Sequence, residues 1–432
     1  MKQLIEEYKS KNFKDLLNFI KHDSTHSFYE LSKLAEYVNN NRQTHSAYYT
    51  DELILDSAIN RLPSFEKENL VILEPSVGAG NFIPYIIKKY HDKQVRLDLM
   101  DIDENALIIL KSLVEKIDIP DSFQINFVHG DFLSHNFSEH YDLVVGNPPF
   151  TKITKNNYTS TFKLGISRNL SSYFFEKALD ISDYVALIMP KNLLNTPEYK
   201  GTRDLLNTRS IDTIIDFGEK GFKGVLIETI FVVVSNISKP DTTYIESIPQ
   251  KSVINQSQNY YTDKKMPYWI IYRDIFFDSF YNELELGIFT VFRDRQITNR
   301  ILKPNGTIRV LKSRNISNDG KSIIDIPNYD SYVSKDDVIG YSVYKYIDLE
   351  VYISPNMTYN SRIAIKPKGV LVNGSLAILT PKNGLKLTQK DQEFISSKKY
   401  RKFLKIARNY QTRTLNIDNN SVFFYGIRRK SK

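Results

Sequence analysis

Cysteine is absent from this chain, which excludes disulfides, thiolate metal sites and a cysteine nucleophile. No apolar run approaches the roughly 18 residues of a membrane span. The start, Met1-Lys2-Gln3-Leu4-Ile5-Glu6-Glu7, lacks the apolar core of a signal peptide. Together these absences favour the cytoplasm. No internal repeat or low-complexity tract stands out. The full dinucleotide fingerprint G-x-G-x-x-G is missing as well.

What is present is ordinary in bulk and specific in detail. Hydrophobic content of 41% and charged content of 25% are those of a globular protein. At 432 residues the chain is long enough for two or three domains. The net charge of +8 suits a polyanionic partner, although a solvated basic surface gives the same excess. Positive charge gathers toward the end, from Lys398-Lys399-Tyr400-Arg401-Lys402 to Arg428-Arg429-Lys430. Interleaved aromatic and basic residues are compatible with nucleic-acid binding.

Residues 1 to about 40 read as helical, with Leu4, Ile5, Tyr8, Phe13, Leu16, Leu17 and Ile20 at helical spacing and a second helix over Ser27 to Val38. Asp51 to Leu62 reads as a helix capped by Thr50. From Val71 onward, short apolar runs alternate with helical ones. The runs at 71–73, 95–100, 127–128, 143–145, 185–189, 211–217 and 229–235 are expected strands. This alternation predicts a parallel sheet with helices on both faces, the pairing of the last run being left open. The pattern breaks at Ser238-Lys239-Pro240-Asp241, where we expect a domain boundary. Beyond it, β-like runs such as Tyr268-Trp269-Ile270-Ile271-Tyr272 and Arg362-Ile363-Ala364-Ile365 appear.

Four motifs carry chemistry. The most informative is Asn147-Pro148-Pro149-Phe150, directly after the apolar run Tyr141 to Gly146. Two prolines cannot continue a strand, so the chain turns there into a rigid loop. That loop offers a side-chain amide, unladdered carbonyls and an aromatic face, a set able to hold a planar amine. The bland alternative is a proline turn that only ends a strand.

Upstream lies Leu73-Glu74-Pro75-Ser76-Val77-Gly78-Ala79-Gly80-Asn81-Phe82. Its glycines let a ligand approach the backbone, and the following helix start supplies amide donors. The acid Glu74 disfavours a pyrophosphate and suits an amino-bearing ligand. A tight structural turn would look the same. Next, Leu99-Met100-Asp101-Ile102-Asp103 ends a strand in acids, the usual place for a carboxylate that accepts ribose hydroxyls. Asp101 is assigned that role, while Asp103 reads equally well as a helix cap. Finally, in Gly130-Asp131-Phe132, Asp131 could accept from an exocyclic amine and Phe132 could stack on a purine; a solvated loop aspartate is the alternative.

In this order, the four motifs resemble those of the S-adenosylmethionine-dependent amino-group DNA methyltransferases, and in particular their gamma class. That class carries a Tyr-Thr element before the cofactor turn, and Ala47-Tyr48-Tyr49-Thr50 stands there. Weaker matches follow at Asn169-Leu170, Phe174-Phe175, Ala186 to Lys191, Arg203, Leu205-Leu206 and Phe222-Lys223-Gly224-Val225 with Glu228-Thr229. The resemblance covers residues 44 to about 235. It departs from many relatives in having Phe150 where they have tyrosine, which keeps the stacking face.

The resemblance implies an α/β fold: a Rossmann-like SAM-dependent methyltransferase domain followed by a mixed α+β target recognition domain. The expected division is 1–42 N-terminal helices, 43–240 catalytic domain and 241–432 DNA target recognition. It implies that Asn147, Pro148 and Phe150 are catalytic. The cofactor is S-adenosylmethionine, held by Thr50, Glu74, Ser76, Gly78, Asp101, Ile102, Asp131, Phe132 and Asn147, and no metal is required. The substrate is N6 of an adenine flipped out of double-stranded DNA, contacted by Phe150, Phe222 and Arg413. A separate cognate restriction endonuclease is a compatible partner. An RNA base amino methyltransferase, a cytosine-N4 enzyme, a protein-glutamine methyltransferase and a binding module with a vestigial site are the competing readings. The long basic stretch after the catalytic part favours a DNA reader. Within it, Arg401, Lys402, Arg408, Arg428 and Arg429 and the run Asn409-Tyr410-Gln411-Thr412-Arg413 are candidate DNA contacts.

Overall fold

The structure is a computed structural model and describes residues 1–39, 52–153, 167, 169–219, 227–239, 241–358, 360–411 and 416–429. The chain forms two compact units. One comprises Met1–Leu193 with Glu198–Tyr260, the other Leu194–Pro197 with Tyr261–Lys432.

The first unit is built on a nine-stranded sheet of order β3-β2-β1-β4-β5-β7-β6-β8-β9. Its strands are β1 (Asn69–Glu74), β2 (Gln94–Asp101), β3 (Phe123–His129), β4 (Tyr141–Gly146), β5 (Ser182–Pro190), β6 (Ser210–Gly218), β7 (Thr229–Ser235), β8 (Thr242–Ser247) and β9 (Ser252–Ser257). β1 pairs in parallel with β2 and β4, β2 with β3, and β4 with β5. The carboxyl ends of β1 to β5 therefore share one edge. Strand order reverses between β1 and β4, the kind of switch point where open α/β sheets bind ligands. β4 and β7 are buried along their whole length, as strands covered on both faces must be.

The sheet is mixed rather than parallel. β7 runs antiparallel to both neighbours, β5 and β6, which settles the pairing that the sequence left open. β8 adds in parallel to β6, and β9 turns back along β8. The boundary expected near residue 240 thus falls between strands of one sheet, and the compact units divide at Tyr260. Polar, half-exposed runs such as Ser252-Val253-Ile254-Asn255-Gln256-Ser257 look weakly apolar because an edge strand buries only one side.

The N-terminal segment belongs to the same unit. Helices α1 (Lys2–Lys9), α2 (Phe13–His22) and α3 (Phe28–Val38) start at well-formed caps on Asn12 and Ser27 for the latter two. Their apolar faces, with Leu16, Ile20, Leu31 and Leu34, pack with Ile109 and Leu113 of α6 (Glu104–Val114). Helices α4 (Glu52–Ile59), α5 (Ile83–Lys89), α7 (Leu170–Ile181) and α8 (Lys200–Leu206) complete this set. Thr50, the expected cap of α4, lies outside the described residues.

Among its described residues, the second unit holds β10 (Leu284–Glu285), β11 (Phe289–Arg293), β12 (Ile308–Leu311), β13 (Ser331–Val333), β14 (Tyr352–Pro355), β15 (Ala364–Ile365), β16 (Leu371–Val372), β17 (Leu376–Pro381) and β18 (Ile427–Arg428), arranged as sheets of order β11-β17-β14-β15, β13-β12-β16 and β10-β18. A core of Val310, Ile353, Leu376 and Ile378 lies between their strands. Tyr268 to Tyr272, expected as a strand, is irregular: the Trp269 carbonyl and the Ile271 amide are bonded to the side chain of Asn409 instead of to a ladder. Of the run at 362–365, Ala364–Ile365 forms a short strand.

Candidate active site

A cavity of about 600 Å³ opens at the carboxyl edge of β1 to β4, within the roughly 300–1,000 Å³ range of small-molecule sites. It is lined by Glu74, Ser76, Gly78, Asp101, Ile102, Asp131, Phe132 and Asn147, together with residues of the N-terminal helices. Eight sequence-predicted cofactor residues are thereby brought to one place. Thr50, Phe222 and Arg413 lie outside the described residues.

The turn after β1 is shaped by its glycines. Gly78 and Gly80 have φ of +54° and +76°, the left-handed region where other residues are strained. A Cβ on Gly80 would lie 2.5 Å from Leu110 Cδ1, so glycine is also required for α6 to approach. The turn is fixed to the β2 end by Val77 N donating to the Met100 carbonyl at 2.9 Å and Gly78 N donating to Asp101 Oδ2 at 2.9 Å. Asp101 Oδ1 accepts from Asp103 N at 2.9 Å, and Asp103 caps α6 through Asn105 N at 3.0 Å. Asp103 thus caps α6, while Asp101 braces the turn and lines the cavity.

Glu74 ends β1 at 2% exposure. Burial, with Asp101 and Glu36 nearby, pushes its carboxyl well above the usual carboxylate range. Its Oε2 is buried with no hydrogen-bond partner among the described residues. An isolated buried acceptor among like charges fits a ligand that brings a donor and positive charge. A site rich in carboxylates does not fit a phosphate.

Asp131 Oδ1 accepts from Leu133 N at 3.0 Å, closing a short turn after β3. Phe132 is buried, with Phe174 4.9 Å and Phe137 5.6 Å from its ring centroid, so it offers the cavity an edge rather than an open face. Ile102, by contrast, is 52% exposed although large and apolar, which leaves it free to cover a ring. The Asn147 carbonyl accepts from Ser76 Oγ at 3.3 Å, joining the Asn-Pro-Pro-Phe loop to the glycine turn. Asn147 and Pro149 line the cavity. Asn147 Oδ1 is sheltered from solvent. Phe150 is half-buried against the sheet core, and its carbonyl accepts from Asn169 Nδ2 at 3.4 Å.

Several candidate DNA contacts have structural duties. Arg408 and Asn409 are buried, and Asn409 takes a left-handed backbone with its side chain bonded to the Trp269–Ile271 segment. Gln411 is buried and accepts from Asn195 Nδ2 at 2.9 Å. Arg401 donates to the carbonyls of Ser361 and Asn318, and Arg429 to that of Leu284. A basic residue in a polar loop reads the same in sequence whether it faces solvent or a carbonyl.

The residues that sequence reasoning missed lie on the N-terminal helices: Lys11, Asn12, Phe13, Glu36 and Asn39 all line the cavity. A lone acid on an amphipathic helix gives no signal that distinguishes it from a solvated one. No group of three or more His, Asp or Glu suited to a metal ion occurs among the described residues, and none of their helices is long and apolar enough to cross a membrane.

The glycine turn after β1, the acid after β2, Asp131-Phe132 after β3 and the Asn-Pro-Pro-Phe loop after β4 thus meet at one sheet edge, in the order expected for a Rossmann-like methyltransferase fold. Residues 17–222 match the family described as Eco57I restriction-modification methylase. It is 28% identical over 241 residues to the type II methyltransferase M.VspI of Vibrio sp. (strain 343), covering 52% of this chain and 57% of that protein. It is 27% identical over 177 residues to the type II methyltransferase M.CvrRI of Paramecium bursaria Chlorella virus XZ-6E, covering 40% and 43%. The chain thus spans about half the length of the curated relatives it matches. Among solved structures, the type I restriction-modification methyltransferase subunit from Streptococcus thermophilus aligns with a TM-score of 0.42 at 15% identity, covering 54% of this chain and 55% of that one.

Proposed function

We propose that this chain transfers a methyl group from S-adenosylmethionine to N6 of an adenine flipped out of double-stranded DNA. The observation that carries this reading is the position of Asn147. It follows β4 on the same cavity as Glu74, Asp101 and Asp131. The names of the relatives support a restriction-modification setting, with a separate endonuclease as a compatible partner.

When bound, the cofactor supplies an electrophilic methyl group on a sulfonium. The chain's own residues do the rest. Glu74 would hold the amino-acid end through its buried acceptor, Asp101 the ribose, and Asp131 with Phe132 and Ile102 the adenine. Thr50 is expected to join Glu74. The lone pair of an adenine amine is delocalised into its ring, so the amine is a weak nucleophile. Asn147 Oδ1 and the Pro148 carbonyl would each accept one amino hydrogen, favouring a pyramidal nitrogen that points its lone pair into the cavity. Positioning is the larger part of such catalysis. A neutral amide suffices because the proton leaves after attack.

The target atom is unreachable inside a duplex, so the base must leave the stack at a cost of a few kcal/mol. Stacking on Phe150 and Phe222 would offset part of that, at ~1–3 kcal/mol per base. The second unit would read the target sequence, with Arg413 as a candidate contact.

Asn147→Ala tests the assignment. Methyl transfer to DNA should vanish while S-adenosylhomocysteine still binds. Near wild-type methylation by the variant would remove Asn147 from the mechanism. Single-molecule sequencing of DNA from cells expressing the protein should show N6-methyladenine in one sequence context; modified cytosine instead would overturn the base assignment.

A further inference from the structure

The cavity has a wall that none of the four motifs supplies. Ser32 and Glu36 lie one turn apart on one face of α3, at the i, i+4 spacing, and Asn39 is the residue that ends the helix. All three meet the cofactor end of the sheet. Ser32 Oγ lies 3.1 Å from the Ala79 carbonyl and 2.6 Å from Asn81 Oδ1. Asn39 Nδ2 donates to Asp103 Oδ2 at 3.3 Å. Between them, Glu36 Oε1 accepts from Ala79 N at 3.4 Å. A Cβ on Gly78 would lie 2.8 Å from the same oxygen, so the carboxylate sits directly over the turn.

Gly78 N donates to Asp101 Oδ2, and the next amide, Ala79 N, donates to Glu36 Oε1. Two carboxylates from different elements therefore grip consecutive amides of one turn. Both line the cavity. An ionised carboxylate has about four acceptor positions, so a carboxylate bonded to a backbone amide can receive a ligand hydroxyl as well. Glu74, with its buried Oε2, feels the charge of both neighbours.

We infer that Glu36 is a cofactor-binding residue: with Asp101 it receives the vicinal ribose hydroxyls, one hydroxyl to each carboxylate. The N-terminal helices are then part of the binding site. The inference rests on the cofactor being an adenosyl compound and is independent of which base is methylated.

The test is calorimetric titration of the whole chain and its Glu36→Gln variant with S-adenosylhomocysteine and with its 2′-deoxy and 3′-deoxy analogues. Hydrogen bonds to charged groups are the stronger kind, so the variant should bind S-adenosylhomocysteine about tenfold more weakly. The decisive reading is the cycle. Wild type should lose about tenfold on removal of the hydroxyl that Glu36 receives, and the variant under twofold for the same removal. A penalty equal in both proteins for both analogues overturns the inference, even if the variant binds everything more weakly, because Glu36 would then only support the turn. Failure of wild type to bind S-adenosylhomocysteine would sink the cofactor assignment and this inference with it. Binding without DNA methylation would sink only the proposed reaction.

Discussion

Ser76 and Asn147 are joined by one hydrogen bond, from the serine hydroxyl to the asparagine carbonyl at 3.3 Å. Ser76 belongs to the turn after β1 and Asn147 to the loop after β4, so the bond links the side of the cavity proposed to hold the cofactor to the side proposed to hold the amine. An ordinary hydrogen bond contributes ~0.5–1.5 kcal/mol. Ser76→Ala should therefore slow single-turnover methyl transfer by roughly two- to tenfold, with S-adenosylhomocysteine affinity changed less than the rate. Equal losses in rate and affinity would show that Ser76 serves the cofactor alone.

Asp101→Ala should weaken S-adenosylhomocysteine binding, measured by calorimetry. It removes an acceptor in the cavity and unties Gly78 N. Unchanged affinity would count against both duties.

The two glycines should respond differently to alanine. At Gly80 a Cβ meets Leu110 Cδ1 at 2.5 Å and Ile83 Cδ1 at 2.7 Å. Left-handed strain of about 1–2 kcal/mol and overpacking of about 1–3 kcal/mol combine there, so Gly80→Ala should destabilise by ~2–5 kcal/mol in urea unfolding. At Gly78 the Cβ meets, among the described residues, the end of the Glu36 side chain. Gly78→Ala should cost nearer the strain alone, ~1–2 kcal/mol, and lose cofactor affinity by displacing Glu36.

Lys191 and Asp216 form a salt bridge of 2.7 Å with both side chains almost fully buried. Removing one partner of a buried pair takes away compensation of the other's charge, at ~3–5 kcal/mol. Asp216→Ala should lower stability by about that amount, and adding Lys191→Met should recover much of it. Additive losses in the double variant would contradict the pairing.

Glu74 makes stability depend on pH. Its carboxyl is raised well above its ordinary 4.5 by burial and by Asp101 and Glu36. In the folded chain it keeps its proton at pH values where the unfolded chain has lost it. Folded chains then bind more protons, so the ligand-free protein should lose stability as pH rises above about 4.5, levelling off past the folded value. Glu74→Gln should flatten that slope in melting scans from pH 4 to 8; an unchanged slope would place its origin elsewhere.

The part of the fold around the candidate site was legible because the strands before the motifs are short, largely apolar runs, and because Gly78, Gly80, Pro148 and Pro149 constrain the backbone locally. Thr229 to Ser235 was found as a strand, but direction does not show in an apolar run, so the antiparallel pairing did not follow. β8 and β9 were placed beyond the boundary because Ser238 to Asp241 reads as a break, while their pairing with β6 depends on contacts distant in sequence. Glu36 was invisible for a related reason. Its helix was readable from periodicity, but which face met the glycine turn was decided by Ser32 and Asn81, 49 positions apart.

The two strands past residue 240 determine where this protein can be divided. Ending the chain at Ser238 would strip β8 from β6 and leave the latter with an open row of amides and carbonyls along a nearly all-buried strand. Such an edge templates pairing with other chains. Ending it after Tyr260 keeps that row paired and leaves the shorter, half-polar β9 outermost. Exchange of the second unit between relatives, as a route to altered target choice, should therefore use the later junction; hybrids joined at 238 should precipitate where those joined at 260 stay in solution.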